Sequence, residues 1–566
     1  MFANHQKISF LVFIFGLIIS ITIGNPAIFL NDEYISGNQL NHLVDSGDPF
    51  YGYDKYPGGA YGPARDNILL YTLALPIFSL PSYYVLNFFG EYFFIFILFV
   101  WFFLVVILAF LVTSWFPRYA QWKGIPWTYG VIICSVLLFV LNLFLVKKES
   151  LIYHGEIAAI VFTNHILFAL YCALAFLIFS RVFKSDWWGL FGLFAVICCS
   201  SALFWSGNAK DHMATFFFVA LAAYFFVLFI LQDSHLHLIS SFLSVGLLAW
   251  VRPELGFGVC IGMVISAVLV SLSKGVRQTL LSIVCSGAVL FGALPLFINN
   301  YAATGNPLIS VWMQRAPSFS AVVTTQFTVK SQSMMSVVQD ILRIFFDPVN
   351  AFSAGIFQVS PISFFAIICL ILVVYCITRK TECKISGNDY RIILFLTILA
   401  GSVFLVYLRS MYILVNDQGI TPDMRYIAPI YLPLLILGLY SFKIAGFSVR
   451  DIKITIETLI LLTLINLPIM FAVLQVFWAT SWADQALVQM WITYLFLVAA
   501  VIVFLLFVAK KVKETWLPYS LSTVMVSSLL WELIVDFRFV GMMLGGYNFW
   551  LPMMRWIRHI VIVIFT

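Results

Sequence analysis

Charge is what this chain has least of. Only 10% of its 566 residues are Asp, Glu, Lys or Arg, while 62% are hydrophobic, and so little polar surface cannot cover a globule of this size in water. A soluble fold is excluded, and an all-α polytopic membrane protein is expected, solvated by lipid. Apolar runs long enough to cross a hydrocarbon core recur with short charged punctuation, roughly 13 to 15 of them. Other absences narrow the reading. There is no repeat of solenoid length, no low-complexity tract, no polar stretch long enough for a soluble domain and no Asn-x-Ser/Thr sequon. The last leans toward a prokaryotic chain. None of the nine cysteines lies in a long polar loop with a second at bridging or zinc-ligand spacing, so neither disulfides nor a cysteine metal site are expected.

The formal charge of +6 is accounted for by loops rather than by a nucleic-acid partner. If the amino terminus is cytoplasmic, the inward loops carry Lys7, Arg118, Lys123, Arg181, Lys184, Lys274, Arg277, Arg379, Lys380, Lys384, Arg391, Lys443, Arg450, Lys453, Lys510, Lys511 and Lys513. That is over half of all the Lys and Arg, the asymmetry expected of a multi-pass protein of the plasma (inner) membrane. The first apolar run, Ile8 to Leu30, exceeds a signal-peptide core and lacks a small-x-small cleavage site, so it reads as a retained helix. Residues 67–90 are broken by Pro76 and Pro81. They read as a re-entrant or juxtamembrane piece at the outer interface, since a full crossing would put the basic loop 117–126 outside.

Function is expected on the outward face, where loops on a rigid scaffold carry chemistry. Two long outer segments, 31–91 with its apolar end and 300–354, bring most of the acids together with shorter loops. The first begins LNDEY, with Asp32 and Glu33 directly at a helix exit, and continues through Tyr51, Tyr53, Tyr56 and Tyr61 among glycines and prolines. Flat faces and hydroxyls on a compact turn-rich path suit a sugar; an interfacial tyrosine belt has the same composition. The loop KKESLIYHGE supplies Lys147, Lys148, His154 and Glu156, and SGNAKDHM supplies Lys210, Asp211 and His212. In WVRPELGF, Arg252 sits between two apolar stretches, where an unpaired guanidinium is expensive. Arg252 needs an anion, and Glu254 or a ligand phosphate is the expected partner.

Three further stretches complete an ordered set: PLFINNYAATGNPLI (295–309), FFDPVNAFSAGIFQVSPI (345–362) and NDQGITPDMRYIAPIYLPLLILG (416–438). An acidic pair after the first helix, Asn-Tyr with Thr-Gly-Asn-Pro at a helix exit, Ser-Pro opening a helix and Arg-Tyr-x-x-Pro opening another resemble the polytopic GT-C glycosyltransferases. Among these are the protein O-mannosyltransferases and the lipid A aminoarabinose transferases. The likeness runs from residue 8 to about residue 440, which divides the chain into a catalytic module, 1–440, and further transmembrane helices, 441–566, without an assigned role. The chain departs from the pattern at Asp423 and Met424, where many relatives have glycine before the Arg-Tyr pair.

The resemblance implies a GT-C-type bundle with juxtamembrane helices in the first outer loop. It also implies transfer of a sugar from a polyprenyl-phosphate donor to an acceptor hydroxyl, with inversion, at the outer face. Asp32 would be the general base and Glu33 an orienting or second acid. Asp211, Lys210, Arg252, Arg425, His154 and Tyr61 would hold donor phosphate or sugar. The acceptor is a glycan, a lipid or a protein. No cofactor is obligatory; a divalent metal bridging Asp32 and Asp211 is compatible with the resemblance, but no dedicated ligand set is present. The alternatives are a transporter or flippase of lipid-linked glycans, which needs charged groups along a path across the midplane, and an envelope assembly scaffold without chemistry.

Overall fold

The computed structural model describes residues 2–24, 33–47, 72–117, 121–122, 125–145, 155–309, 334–346, 355–379, 385–407, 427–477, 480–541 and a few near 560. Among them, eleven helices are long and apolar enough to cross a membrane, or thirteen if each of two bent pairs is one span. The upper figure meets the lower end of the expected count, and two shorter apolar helices accompany them. Apart from a hairpin of β1 (Gln121–Trp122) and β2 (Ile125–Pro126), the described elements are helical, as lipid demands of backbone that must satisfy itself.

The first half runs α1 (Phe2–Ile23), α2 (Glu33–Asp45), α3 (Ala74–Phe89), α4 (Phe93–Trp115), α5 (Trp127–Leu145), α6 (Gly155–Phe183), α7 (Asp186–Ile197), α8 (Ser200–Ser206), α9 (His212–Gln232), α10 (His235–Val251), α11 (Pro253–Leu272), α12 (Val276–Ser286), α13 (Ala288–Gly292) and α14 (Leu294–Thr304). The second runs α15 (Met334–Phe346), α16 (Ile356–Val359), α17 (Phe365–Arg379), α18 (Gly387–Tyr407), α19 (Tyr431–Ala445), α20 (Val449–Val476), α21 (Trp482–Val508) and α22 (Trp516–Ile534). Where an end is polar, the sequence caps it. Before α20, the Ser448 backbone N–H donates to Asp451 Oδ2 at 2.8 Å while Ser448 Oγ accepts from Asp451 N, a reciprocal capping box.

Side chains define two faces. Lys7 lies 5.4 Å over the Trp115 ring and His5 Nδ1 is 2.5 Å from Asp186 Oδ1. The ends of α4 and α6 therefore share a face, here the near face, with the start of α1. At the other, distal face, Trp101 Nε1 donates to Thr22 Oγ1 at 2.8 Å and Ser20 Oγ meets His165 Nδ1 at 2.5 Å. The end of α4 thus lies on the amino-terminal side, the side on which charge asymmetry places the loop that follows it.

Helix α3 explains how. Together with α4 it forms an apolar stretch of 42 residues, about 63 Å at helical rise and twice what a crossing needs. It breaks at the 3₁₀ turn Gly90–Tyr92. Thr72 Oγ1 reaches the Val251 carbonyl at 3.3 Å and Ser82 Oγ meets Thr163 Oγ1, two turns into α6, at 2.8 Å. Because Trp101, within α4, is already level with Thr22, α3 stays at the distal level and only α4 descends. Such a position is compatible with the re-entrant or juxtamembrane piece expected of residues 67–90, of which 67–71 lie outside the described residues.

The large core gathers α6 through α11 with α17 through α22, and a smaller one joins α1, α3, α4 and the start of α6. Between α10 and α13 the helices touch through glycine. A Cβ on Gly246 would stand 2.4 Å from the Val289 carbonyl oxygen, and one on Gly292 would stand 2.2 Å from that of Leu243. No side chain fits either position.

One expectation fails. Cys376, in the last turn of α17, is disulfide-bonded, with its partner outside the described residues. Long polar loops mark bridging pairs in a sequence, whereas Cα separation in the fold decides which cysteines pair. The bond sits at the end of the bundle expected to be cytoplasmic, where reducing conditions disfavour disulfides.

Candidate functional site

The distal end of α6 organises the site. Helices α7 and α8 form one broken span bent by 68° at Cys198–Cys199, and every residue of α8 is buried. The chain then turns through 207–211 before α9. This turn is shaped by amides. Asn208 Nδ2 donates to the Phe204 carbonyl at 2.7 Å, and Asn164 Nδ2, from α6, donates to the carbonyls of Asn208 and Lys210 at 2.6 and 2.8 Å. Lys210 is buried, and Asp211 begins α9 without using its carboxylate as a cap.

That carboxylate serves Arg252 instead. Arg252 Nε donates to Asp211 Oδ2 and Nη2 to Oδ1, both at 2.9 Å, the two-pronged geometry in which guanidinium and carboxylate match best. The side chains keep 11% and 23% exposure. Sequence explains why Arg252 stands there. Pro253 forces its predecessor out of the helical region, and Arg252 takes φ −140°, ψ 100° between α10 and α11. Helix α10 therefore ends and α11 begins around one extended residue whose side chain leaves the apolar runs. Glu254, the acid expected as partner, is exposed, and among the described residues the ion-pair partner of Arg252 is Asp211. Residues two apart on a helix do not share a face.

Glu33, the first residue of α2, is fully buried; an acid suits the positive end of a helix. Helix α2 packs on α3 and α6, so Glu33 belongs to the same end of the bundle as the Asp211–Arg252 pair. Asp32, Tyr61, His154 and Arg425 lie outside the described residues.

Two residues on which this end depends were not singled out in the sequence. Asn164 lies within an apolar helix with nothing local to mark it. Asn299 lies in the FINNY stretch, where the Asn-Tyr motif gives this residue no role of its own. Its Oδ1 accepts the Leu73 N–H at 2.8 Å, so α14 and the α10 terminus together hold the start of α3. The accompanying Thr-Gly-Asn-Pro is a helix exit: Gly305 takes φ 74° and its N–H returns to the Tyr301 carbonyl at 2.8 Å, the left-handed cap that glycine allows.

Among the described residues no group of three His, Cys, Asp or Glu could hold a metal ion. Each Asp211 oxygen accepts from Arg252, so a cation there would meet a guanidinium. Asp32, the other carboxylate of the bridge that the resemblance allows, lies outside the described residues.

No family model matches this chain, and no curated protein does. Among solved structures, the crystal structure of ArnT from Cupriavidus metallidurans bound to undecaprenyl phosphate is similar, with 10% identity, a TM-score of 0.46, and 94% of this chain and 77% of that chain covered. A likeness that remote assigns this chain neither activity nor ligand.

Proposed function

We propose that this protein is a membrane glycosyltransferase of the GT-C type. It moves a sugar from a polyprenyl-phosphate donor to an acceptor hydroxyl of a glycan, lipid or protein, at the face opposite its amino terminus, with inversion. The observation that carries the reading is Arg252, a largely buried guanidinium at a helix break, oriented by Asp211 through two of its five N–H donors. A planar cation held that firmly beside an outward loop suits a phosphate. The ordered motifs from Asp32 to Arg425 supply the chemistry around it.

In the proposed reaction Asp32 takes the proton of the acceptor hydroxyl as its oxygen attacks the anomeric carbon. The bond from that carbon to the phosphate oxygen breaks, and the lipid phosphate leaves with the electron pair. Arg252, Arg425 and Lys210 offset the charge that grows on it. Glu33 orients the acceptor, while His154 and Tyr61 contact the sugar. Asp211 acts through Arg252, and the proposal invokes no divalent metal. Asp32→Asn in protein that folds normally is expected to lower transfer by about 10²- to 10⁴-fold, the usual worth of a general base. Retention of most activity overturns the assignment of Asp32.

A transport reading has one observation in its favour. Two spans are broken, α7 with α8 and α12–α13 with α14, bent by 68° and 43°, and interrupted helices recur in carriers. Movement of lipid-linked glycan across proteoliposomes without covalent product would establish it in place of transfer.

A further inference from the structure

Beside Arg252 the structure builds a second group of donors. Helix α3 starts at the distal face with no side-chain cap. Its first internal bond is from Ile77 N to the Leu73 carbonyl, Ala74 and Leu75 are buried, and Pro76 has no N–H. The positive end of this 16-residue helix is pinned to the backbone just before Arg252, because Thr72 Oγ1 bonds the carbonyl of Val251.

Asn299 closes the other side. Asn299 is buried, with a relative exposure of 4%, and the orientation of its carboxamide follows from chemistry, since the Leu73 N–H can only donate and so must face Oδ1. Nδ2, on the same planar group, is therefore held at the helix start, and among the described residues it has no hydrogen-bond partner. A buried donor without an acceptor costs what a lost hydrogen bond costs. Unpaired donor, helix N-terminus and guanidinium share one demand, an anion with several acceptor oxygens.

We infer that Asn299 Nδ2 and the N-terminus of α3 bind the donor phosphate together with Arg252, an inference that rests on the function proposed above. Asn299 is then a phosphate ligand as well as the latch that holds α3.

Asn299→Asp separates these two roles. An aspartate keeps an oxygen for the Leu73 N–H and suits a helix N-terminus, so a merely structural Asn299 predicts unchanged or raised thermal stability and unchanged binding. A ligand role predicts that affinity for a polyprenyl monophosphate falls roughly 10- to 100-fold, because a donor to a charged group becomes an acceptor facing it. Binding of the parent polyprenol is expected to stay the same. The measurement uses the full-length protein in detergent, with polyprenyl monophosphate, polyprenol and inorganic phosphate titrated separately into wild type and variant. If wild type prefers the phosphate and Asn299→Asp keeps that preference, the inference falls and the proposed function stands. If wild type binds phosphate and alcohol alike, the donor reading itself falls. If inorganic phosphate binds wild type as tightly as the lipid and shows the same loss in the variant, the site holds free phosphate and the lipid assignment is overturned.

Discussion

At the near face Asp389 accepts from the Ser386 N–H at 2.7 Å, from the Tyr440 hydroxyl at 2.9 Å and from Lys443 Nζ at 3.0 Å. Lys443 also lies 5.3 Å from the Tyr440 ring, and Lys274 Nζ meets Asp233 at 2.5 Å with that aspartate 57% exposed. At the distal face the Asp211–Arg252 pair is largely enclosed, reached across 41 residues, and positioned by amides whose own bonds go to backbone. The near-face groups cap helices and tie neighbours together, with water available to several of them. The distal groups are held where solvent would otherwise have to stabilise them. Charge at one end fastens the bundle; at the other it is kept poised, at a cost in desolvation that folding alone does not repay.

Three substitutions test that difference. The largest effect is expected from Arg252→Met, which leaves the Asp211 carboxylate enclosed without its guanidinium: about 3 kcal/mol of stability lost, read by denaturant or thermal unfolding in detergent, and transfer abolished. Adding Asp211→Asn should recover most of the stability and none of the transfer. Recovery of both would make the pair a fastener like those of the near face.

Next is Asn164→Leu, of similar shape but unable to donate to the carbonyls of Asn208 and Lys210. Two buried acceptors lose their partner, for about 2 kcal/mol. Transfer should drop further than the unfolded fraction explains, because the turn carrying Lys210 and Asp211 loses its template. An activity loss that tracks unfolding alone would reduce Asn164 to packing.

The smallest effect is expected from Asp389→Asn, about 1 kcal/mol after allowing for the exposure of Lys443, with specific activity of the folded fraction unchanged. A fall in specific activity as large as that of Asn164→Leu would erase the contrast between the faces.

Much of the frame was legible because it follows from rules that act along the chain. Apolar length gives the spans, Lys and Arg give sidedness, and Pro76 and Pro81 mark α3 as unfit for an ordinary crossing. That Arg252 requires an anion was also legible, since Pro253 and the flanking apolar runs fix its setting. Which anion it meets was not. Asp211 comes from another helix, and only the packing of α9 on α10 brings the two together. The break at Cys198–Cys199 was hidden for a related reason: no proline or glycine marks it, the usual signatures of a kink. It is accompanied by tertiary bonding, with Ser200 Oγ reaching the Val359 carbonyl at 3.4 Å. Asn164 and Asn299 escaped because an asparagine in or beside an apolar helix looks the same whether it bonds its own turn or shapes a neighbour's. Cys376 escaped because it lies at the end of an apolar run, where no polar loop marks it as one of a pair.

The bare contact between Gly246 and Gly292 reaches further than its two helices. Gly246 stands six residues before Arg252 on α10, and Gly292 seven before Asn299 on the α13–α14 arm. The spacing between α10 and the α13–α14 arm, which lead to Arg252 and Asn299, is thus gauged, like the jaws of a caliper, by two absent methyl groups. A single alanine at the pivot would open the jaws without touching anything they hold.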